Sequence, residues 1–253
     1  MIAAIIIILG ALLWLLMETN WLTIRLSAYA PELVIKLPDR RKVFRMLDTH
    51  GILALAGIIG PLILVTLDLI AAFAEPKYSL VCQSMSSLAL TSKGWIETIG
   101  FMLMGLMIES FTAGLYLNIK RRRGFGFGIA LLAFFGFGML VVGTFHTKAV
   151  GAPATFSSNV HTVAADCVLG LFPIALAVIL PSIKNDWRWH RMFRYTVITG
   201  VIALVMAVCQ PFLPDDFRFF GLYERIMVLN AITWLGTFAV RLLVLSFQLR
   251  KPR

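Results

Sequence analysis

The chain has 253 residues, 59% of them hydrophobic and 14% charged, with a formal net charge of +10. A soluble domain carries about 25% charged residues, so too little charge is present to give a core of this size a water-facing skin, and the mean hydropathy of +0.86 agrees. The positive charge lies in short clusters between apolar stretches, the pattern of membrane topology rather than of a nucleic-acid groove.

A membrane-spanning helix needs about 20 mostly apolar residues. The first candidate is 2–22. It has no basic n-region and no A-x-A-like cleavage site, and is read as a retained helix rather than a signal peptide. Segment 23–50 follows, with LVIKLPDRRKVFRML mixing apolar and basic residues. It reads either as lying along the headgroups or as an ordinary loop, since Pro31 and Pro38 interrupt any long helix. A second span is predicted over 53–74. The next stretch, 75–96, is polar and serine-rich (SLVCQSMSSLALTSKGW), but too apolar in places for a floppy linker, and is expected to fold back over the helix ends. Further spans are predicted over 97–118, 125–146, 159–181, 195–213 and 225–247. None shows the alternation of barrel strands, and only helices or closed barrels satisfy a backbone in hydrocarbon. The expected fold class is therefore all-α, a polytopic bundle of about seven spans. It divides into 1–50, an N-terminal helix with a basic cytoplasmic loop, and 51–253, a six-helix membrane domain.

Basic-residue asymmetry orients this bundle. With the N-terminus outside, 23–50, 119–124, 183–194 and the tail from about 241 face the cytoplasm and hold 18 of the 23 basic residues. Only Lys77, Lys93, Lys148, Arg218 and Arg225 fall on the other side. A wrong helix count would scramble this alternation. The expected location is the cell (plasma or inner) membrane, multi-pass, with the C-terminus cytoplasmic.

Several features have bland readings. The fourth span carries Gly124, Gly126, Gly128, Gly136, Gly138 and Gly143, small residues that let backbones approach closely, within the bundle or against a partner. Its GFGFG start lacks the GxGxxG spacing of a nucleotide loop and follows no strand. Cys82, Cys167 and Cys209 form no CxxC pair. Trp21, Trp95, Trp187, Trp189 and Tyr223 read as interface anchors, and Met102, Met104 and Met107 as packing. A retinal pigment would need a lysine inside a span for its Schiff base, and all eight lysines lie outside the spans.

Ionisable groups inside spans cost about 2.5–3.5 kcal/mol each on insertion scales. Asp68, Glu109 and Asp166 are such groups, with Glu109 near mid-membrane. His146 and His161 are placed at the outer ends of the fourth and fifth spans, and Glu224 and Arg225 open the seventh. One reading joins Asp68, Glu109, His146, His161, Asp166, Glu224 and Arg225 into an outward polar pocket for a lipid headgroup, a small solute or protons. The other pairs them internally, Arg225 with Asp68 or Asp166, to fix packing. A zinc set of His146, His161 and Asp166 with Glu109 as base lacks HExxH or HxxxH spacing. Haem ligation by the two histidines lacks any attachment motif. No cofactor is expected.

YSLVCQSMSSLAL followed by GFMLMGLMIESFTAGLYL, then GTFHTK, VHTVAADCVLGLFPIAL and GLYERIMVLNAITWLGTFAVRLL, resembles an uncharacterised polytopic membrane family, domain of unknown function 998, over about residues 51–247. The resemblance implies a multi-span helical fold and supplies no activity. Ser87 stands where that family often has an acidic residue, and Lys148 stands near another such position. A family function resting on those acids would be lost or altered here.

The functional expectation is a non-catalytic membrane protein: a binding or transport-like module, or an accessory subunit of a larger membrane complex. The alternative is an intramembrane enzyme acting on lipid through an outward-facing polar site. The expected partners are the lipid bilayer and other membrane subunits, and no nucleic acid.

Overall fold

A computed structural model describes residues 48–149, 151–214 and 217–248. The predicted span 2–22 and nearly all of the basic segment 23–50 lie outside the described residues. Within them the chain is helical: α1 (Thr49–Ala74), the single turn α2 (Met85–Leu88), α3 (Gly94–Asn118), α4 (Phe125–Thr144), α5 (Phe156–Asn185), α6 (Phe193–Cys209) and α7 (Phe220–Gln248). Six of these, α6 counted with its flanking 3-10 turns, are long and apolar enough to cross a bilayer. The protein is a polytopic α-helical membrane bundle.

α5 outruns its predicted span 159–181 because polar residues finish its first turn. Thr155 caps α5: its hydroxyl accepts from Ser158 N, and Ser158 Oγ accepts from Thr155 N, a reciprocal capping box. Gly124 starts α4 with φ +86°, a left-handed conformation that favours glycine, and it turns the chain sharply out of Arg121–Arg123. Pro211 sits in the 3-10 turn Gln210–Phe212 that continues α6, where the predicted span 195–213 becomes tighter helix, since proline cannot extend the α-helical ladder.

The six spans form a ring in chain order. α1 packs on α3, α3 on α4, α4 on α5, α5 on α6, α6 on α7, and α7 returns to α1. The glycines of α4 work inside this ring. A Cβ at Gly128 would press on Ile179, one at Gly138 on Val168, and one at Gly143 on Met102 and Phe101, so small residues let α4 sit close to both α3 and α5. The outward face of α4 carries Phe127, Phe134 and Phe137.

A string of aromatic rings fills the ring's centre. Phe135 and Phe172 lie 5.3 Å apart, Phe172 meets Trp234 edge-on at 5.9 Å, Trp234 stacks on Phe238 at 4.1 Å, and Phe238 on Trp189 at 5.4 Å. Trp189 is fully buried, so it is core rather than the interface anchor expected. Trp234 Nε1 donates to Thr196 Oγ1 at 3.1 Å, and Asn230 Nδ2 to Thr199 O at 3.0 Å, stitching α6 to α7.

The end of the bundle bearing Lys120–Arg123 and Lys184–Arg194, here the basic end, is tied by one network. Asp186 accepts from Lys120 N at 2.9 Å and from Arg188 Nη2 at 3.0 Å. Arg188 Nη2 also donates to Asn118 O at 2.6 Å, and Arg241 Nη2 to Arg188 O at 2.7 Å. Burial alone would raise the Asp186 carboxyl, but the Arg188 guanidinium and two backbone N–H groups outweigh it and hold the carboxyl below its ordinary value. This network therefore stabilises the fold above the ordinary carboxylate range and weakens as pH falls through the lowered value.

Candidate functional site

The opposite end of the bundle is closed by residues 75–93, here called the cover, as the apolar character of that stretch led us to expect. Ser84 caps α2, with Ser87 N donating to its hydroxyl at 3.1 Å. Met85 and Leu88 are buried. Leu88 packs with Ala71 and Ala72 of α1, and Tyr78, Leu80 and Ile96 pack around them. Ser87 Oγ donates to Ser84 O at 2.7 Å and so completes this local turn.

Arg225 holds the cover down. Its Nη2 and Nε donate to Asp68 Oδ1 at 2.9 Å and Oδ2 at 3.2 Å, a two-pronged ion pair between α7 and α1. Its Nη1 donates to Leu80 O at 2.9 Å and Gln83 O at 3.1 Å in the cover. Its Nη2 also reaches the Tyr78 oxygen at 2.8 Å, and Tyr78 Oη donates to Ser84 O at 2.6 Å. Burial, against the pull of Arg225, pushes the Tyr78 phenol up to about 12, so it keeps its proton and remains a donor. Glu224, next to Arg225, accepts from Met85 N at 2.6 Å. Arginine's planar fork suits this task, since one guanidinium meets a carboxylate and several carbonyls together.

Gly221 lets the cover seat. A Cβ there would overlap the carbonyl oxygens of Gln83 and Leu80, and backbone cannot give way as a flexible side chain can. Gly221→Ala is expected to cost about 1–3 kcal/mol as overpacking, measured as a lower thermal midpoint in detergent with faster amide exchange over 79–91.

Glu97 was not among the expected residues. It is 0% exposed, and neither carboxyl oxygen has a hydrogen-bond partner among the described residues. It stands near enough to Asp68, Glu224 and Arg225 to feel their charges. The predicted span began at 97, which made this acid look terminal, whereas α3 begins at Gly94. A signal was nonetheless present. Glu97, Phe101, Met104, Ile108, Phe111 and Leu115 recur at helical spacing and form one buried stripe. An isolated ionised carboxylate in such a place costs several kcal/mol even after relaxation.

The other expected residues disperse. His161 is buried in α5, and its Nδ1 lies 2.7 Å from Phe145 O. His146 Nε2 is 3.2 Å from Thr98 Oγ1, and its backbone N donates to Ser157 Oγ at 3.0 Å. Both histidines thus fasten the link between α4 and α5. Glu109 is half-buried against α4, where a Cβ at Gly136 would lie 2.8 Å from its Oε1. Asp166 is exposed on α5. It lines an open cleft of about 680 Å³ with Gly170, Ala207, Gln210, Pro211 and Phe220, between α5, α6 and the start of α7. The structure therefore brings together Asp68, Glu224 and Arg225 and leaves His146, His161, Glu109 and Asp166 elsewhere. Among the described residues no three His, Cys, Asp or Glu side chains converge as a metal would require.

Beneath the polar cluster the interior is apolar. A void of about 40 Å³ there is lined by Leu64, Met104, Phe135, Met139, Phe172 and Met227, among others.

These features define a polytopic helical membrane protein with a buried polar cluster under one end. Residues 58–241 match the model of a family described as protein of unknown function (DUF998), and the chain belongs to that family. No curated protein and no solved structure matches it.

Proposed function

We propose that the chain is a non-catalytic binding module of the cell membrane, its basic end in the cytoplasm, that takes a cationic group into the cleft at Asp166 from the outer side. The cationic group is the amine of a lipid headgroup or of a small solute. The observation that carries this reading is a carboxylate exposed ten residues into a 30-residue spanning helix, on the wall of an open cleft. Acids at such depth are costly and mark ligand or ion pathways. The apolar walls at Ala207, Pro211 and Phe220 suit the carbon skeleton of such a ligand. The apolar interior below the cover favours binding over conduction across the bundle.

Asp166→Asn is expected to weaken binding of a fluorescent amine-headgroup lipid in nanodiscs by at least about tenfold, the scale of a lost charge-assisted hydrogen bond. An unchanged affinity would remove this reading. A neutral-headgroup probe separates lipid charge from lipid tail, and a soluble amine competitor separates lipid from solute.

A second reading, accessory subunit of a membrane complex, is favoured by α6. Only 17% of its most apolar window is buried within the bundle, and Ile198, Val201, Val205 and Val208 face outward. A map of the native particle prepared in mild detergent would show a second chain on α6 if this reading holds.

A further inference from the structure

We infer that Glu97 is a proton-binding site coupled to the cover. This stands apart from the Asp166 cleft and does not depend on it. The charged groups that act on Glu97 are Asp68, Glu224 and Arg225, and Arg225 is the one cation among them. Arg225 is already committed to Asp68 through two hydrogen bonds, and Glu224 is held by the Met85 N–H. Glu97 receives neither, and it is closed off from water. A carboxyl so placed is stable only as the neutral acid.

The groups facing Glu97 are Asp68 from α1, and Glu224 and Arg225 from α7. Tyr78 reaches Arg225 from the cover, α2 contributes no titratable side chain, and His146 beyond the end of α4 bonds to the adjacent Thr98. None but Arg225 is a fixed positive charge, and the described carboxylates do not converge as metal ligands would. The ligand is therefore a proton rather than a metal cation.

Loss of that proton breaks the carboxyl O–H bond, passes the proton to water at the cover, and leaves an anion with one possible counter-charge. Arg225 then divides between Asp68 and Glu97 and loosens its hold on Leu80 O and Gln83 O. Proton release and cover opening are in this way the same equilibrium.

The test is infrared spectroscopy of the full chain in nanodiscs, with amide hydrogen exchange over 79–91 corrected for intrinsic rate. Wild type is expected to show a protonated-carboxyl band at neutral pH that shifts with ¹³C-glutamate but not ¹³C-aspartate. Glu97→Gln removes it. In alkaline solution the wild-type band fades, and cover exchange rises by up to about tenfold per pH unit until the proton is lost and levels off beyond it, as single-proton linkage requires. In Glu97→Gln the exchange stays flat. No glutamate-derived band at neutral pH, a band that survives Glu97→Gln, or a variant whose exchange follows wild type would each overturn the proposal. So would a band that vanishes on adding sodium at fixed pH. A neutral acid tolerates replacement by an amide or by the apolar Glu97→Met. If neither variant folds, Glu97 is an ionic anchor and the proposal fails.

Discussion

Arg225→Met is expected to lower stability by about 3–5 kcal/mol, the scale of breaking a buried ion pair by removing one partner. The loss falls on more than Asp68. The carbonyls of Leu80 and Gln83 and the Tyr78 hydroxyl lose their shared donor, and unpaired polar groups away from water are costly. Asp68→Asn is expected to be milder, because Arg225 keeps its cover carbonyls. The double variant Asp68→Leu with Arg225→Met is expected to recover part of the loss, since no lone charge then remains buried. Thermal midpoints of the four proteins in one detergent supply the cycle. Equal midpoints for Arg225→Met and wild type would show that the pair does not hold the cover.

Trp234→Ala is expected to cost about 3–5 kcal/mol, the range for emptying a buried aromatic site. Trp234 is fully buried and touches both Phe172 and Phe238. Its removal cuts the aromatic string in the middle and leaves the Thr196 hydroxyl without its indole donor. Trp234→Phe is expected to cost less, as most of the ring stacking survives. Trp187, 86% exposed, is the control: its alanine variant is expected to move stability by no more than about 0.5 kcal/mol. Fluorescence-detected size exclusion after heating ranks the three.

The bundle was legible because its physical cause is global. A bilayer demands long apolar helices, and six predicted spans recur as helices whose ends shift by a few residues. The shifts come from caps and turns such as the Thr155 cap and the 3-10 turn at Pro211, which hydropathy does not register. The Asp68–Arg225 pair was one of two pairings left open by charge alone. The alternative, Asp166, is exposed in a different cleft, and nothing along the chain says which aspartate the last helix meets. Glu97 escaped because it stood at the first position of its predicted span and so looked terminal, although the helical stripe of Phe101 to Leu115 extends back to it. The glycines of α4 could serve the bundle or a partner, and only the identity of its neighbours, α3 and α5, assigns most of them to the bundle. Tyr78 carries no sequence mark at all; its role follows from where the cover folds.

The most direct test of the proposed orientation, with the cover on the outer side, is thiol labelling of intact cells with a membrane-impermeant reagent. Cys82 lies exposed on the cover, and Trp187 is exposed at the basic end. In a chain with Cys167 and Cys209 replaced by alanine, Cys82 is expected to label on intact cells. Trp187→Cys, with Cys82 also replaced, is expected to label only after permeabilisation. The reverse pattern would contradict the orientation and, with it, a binding cleft open to the outside.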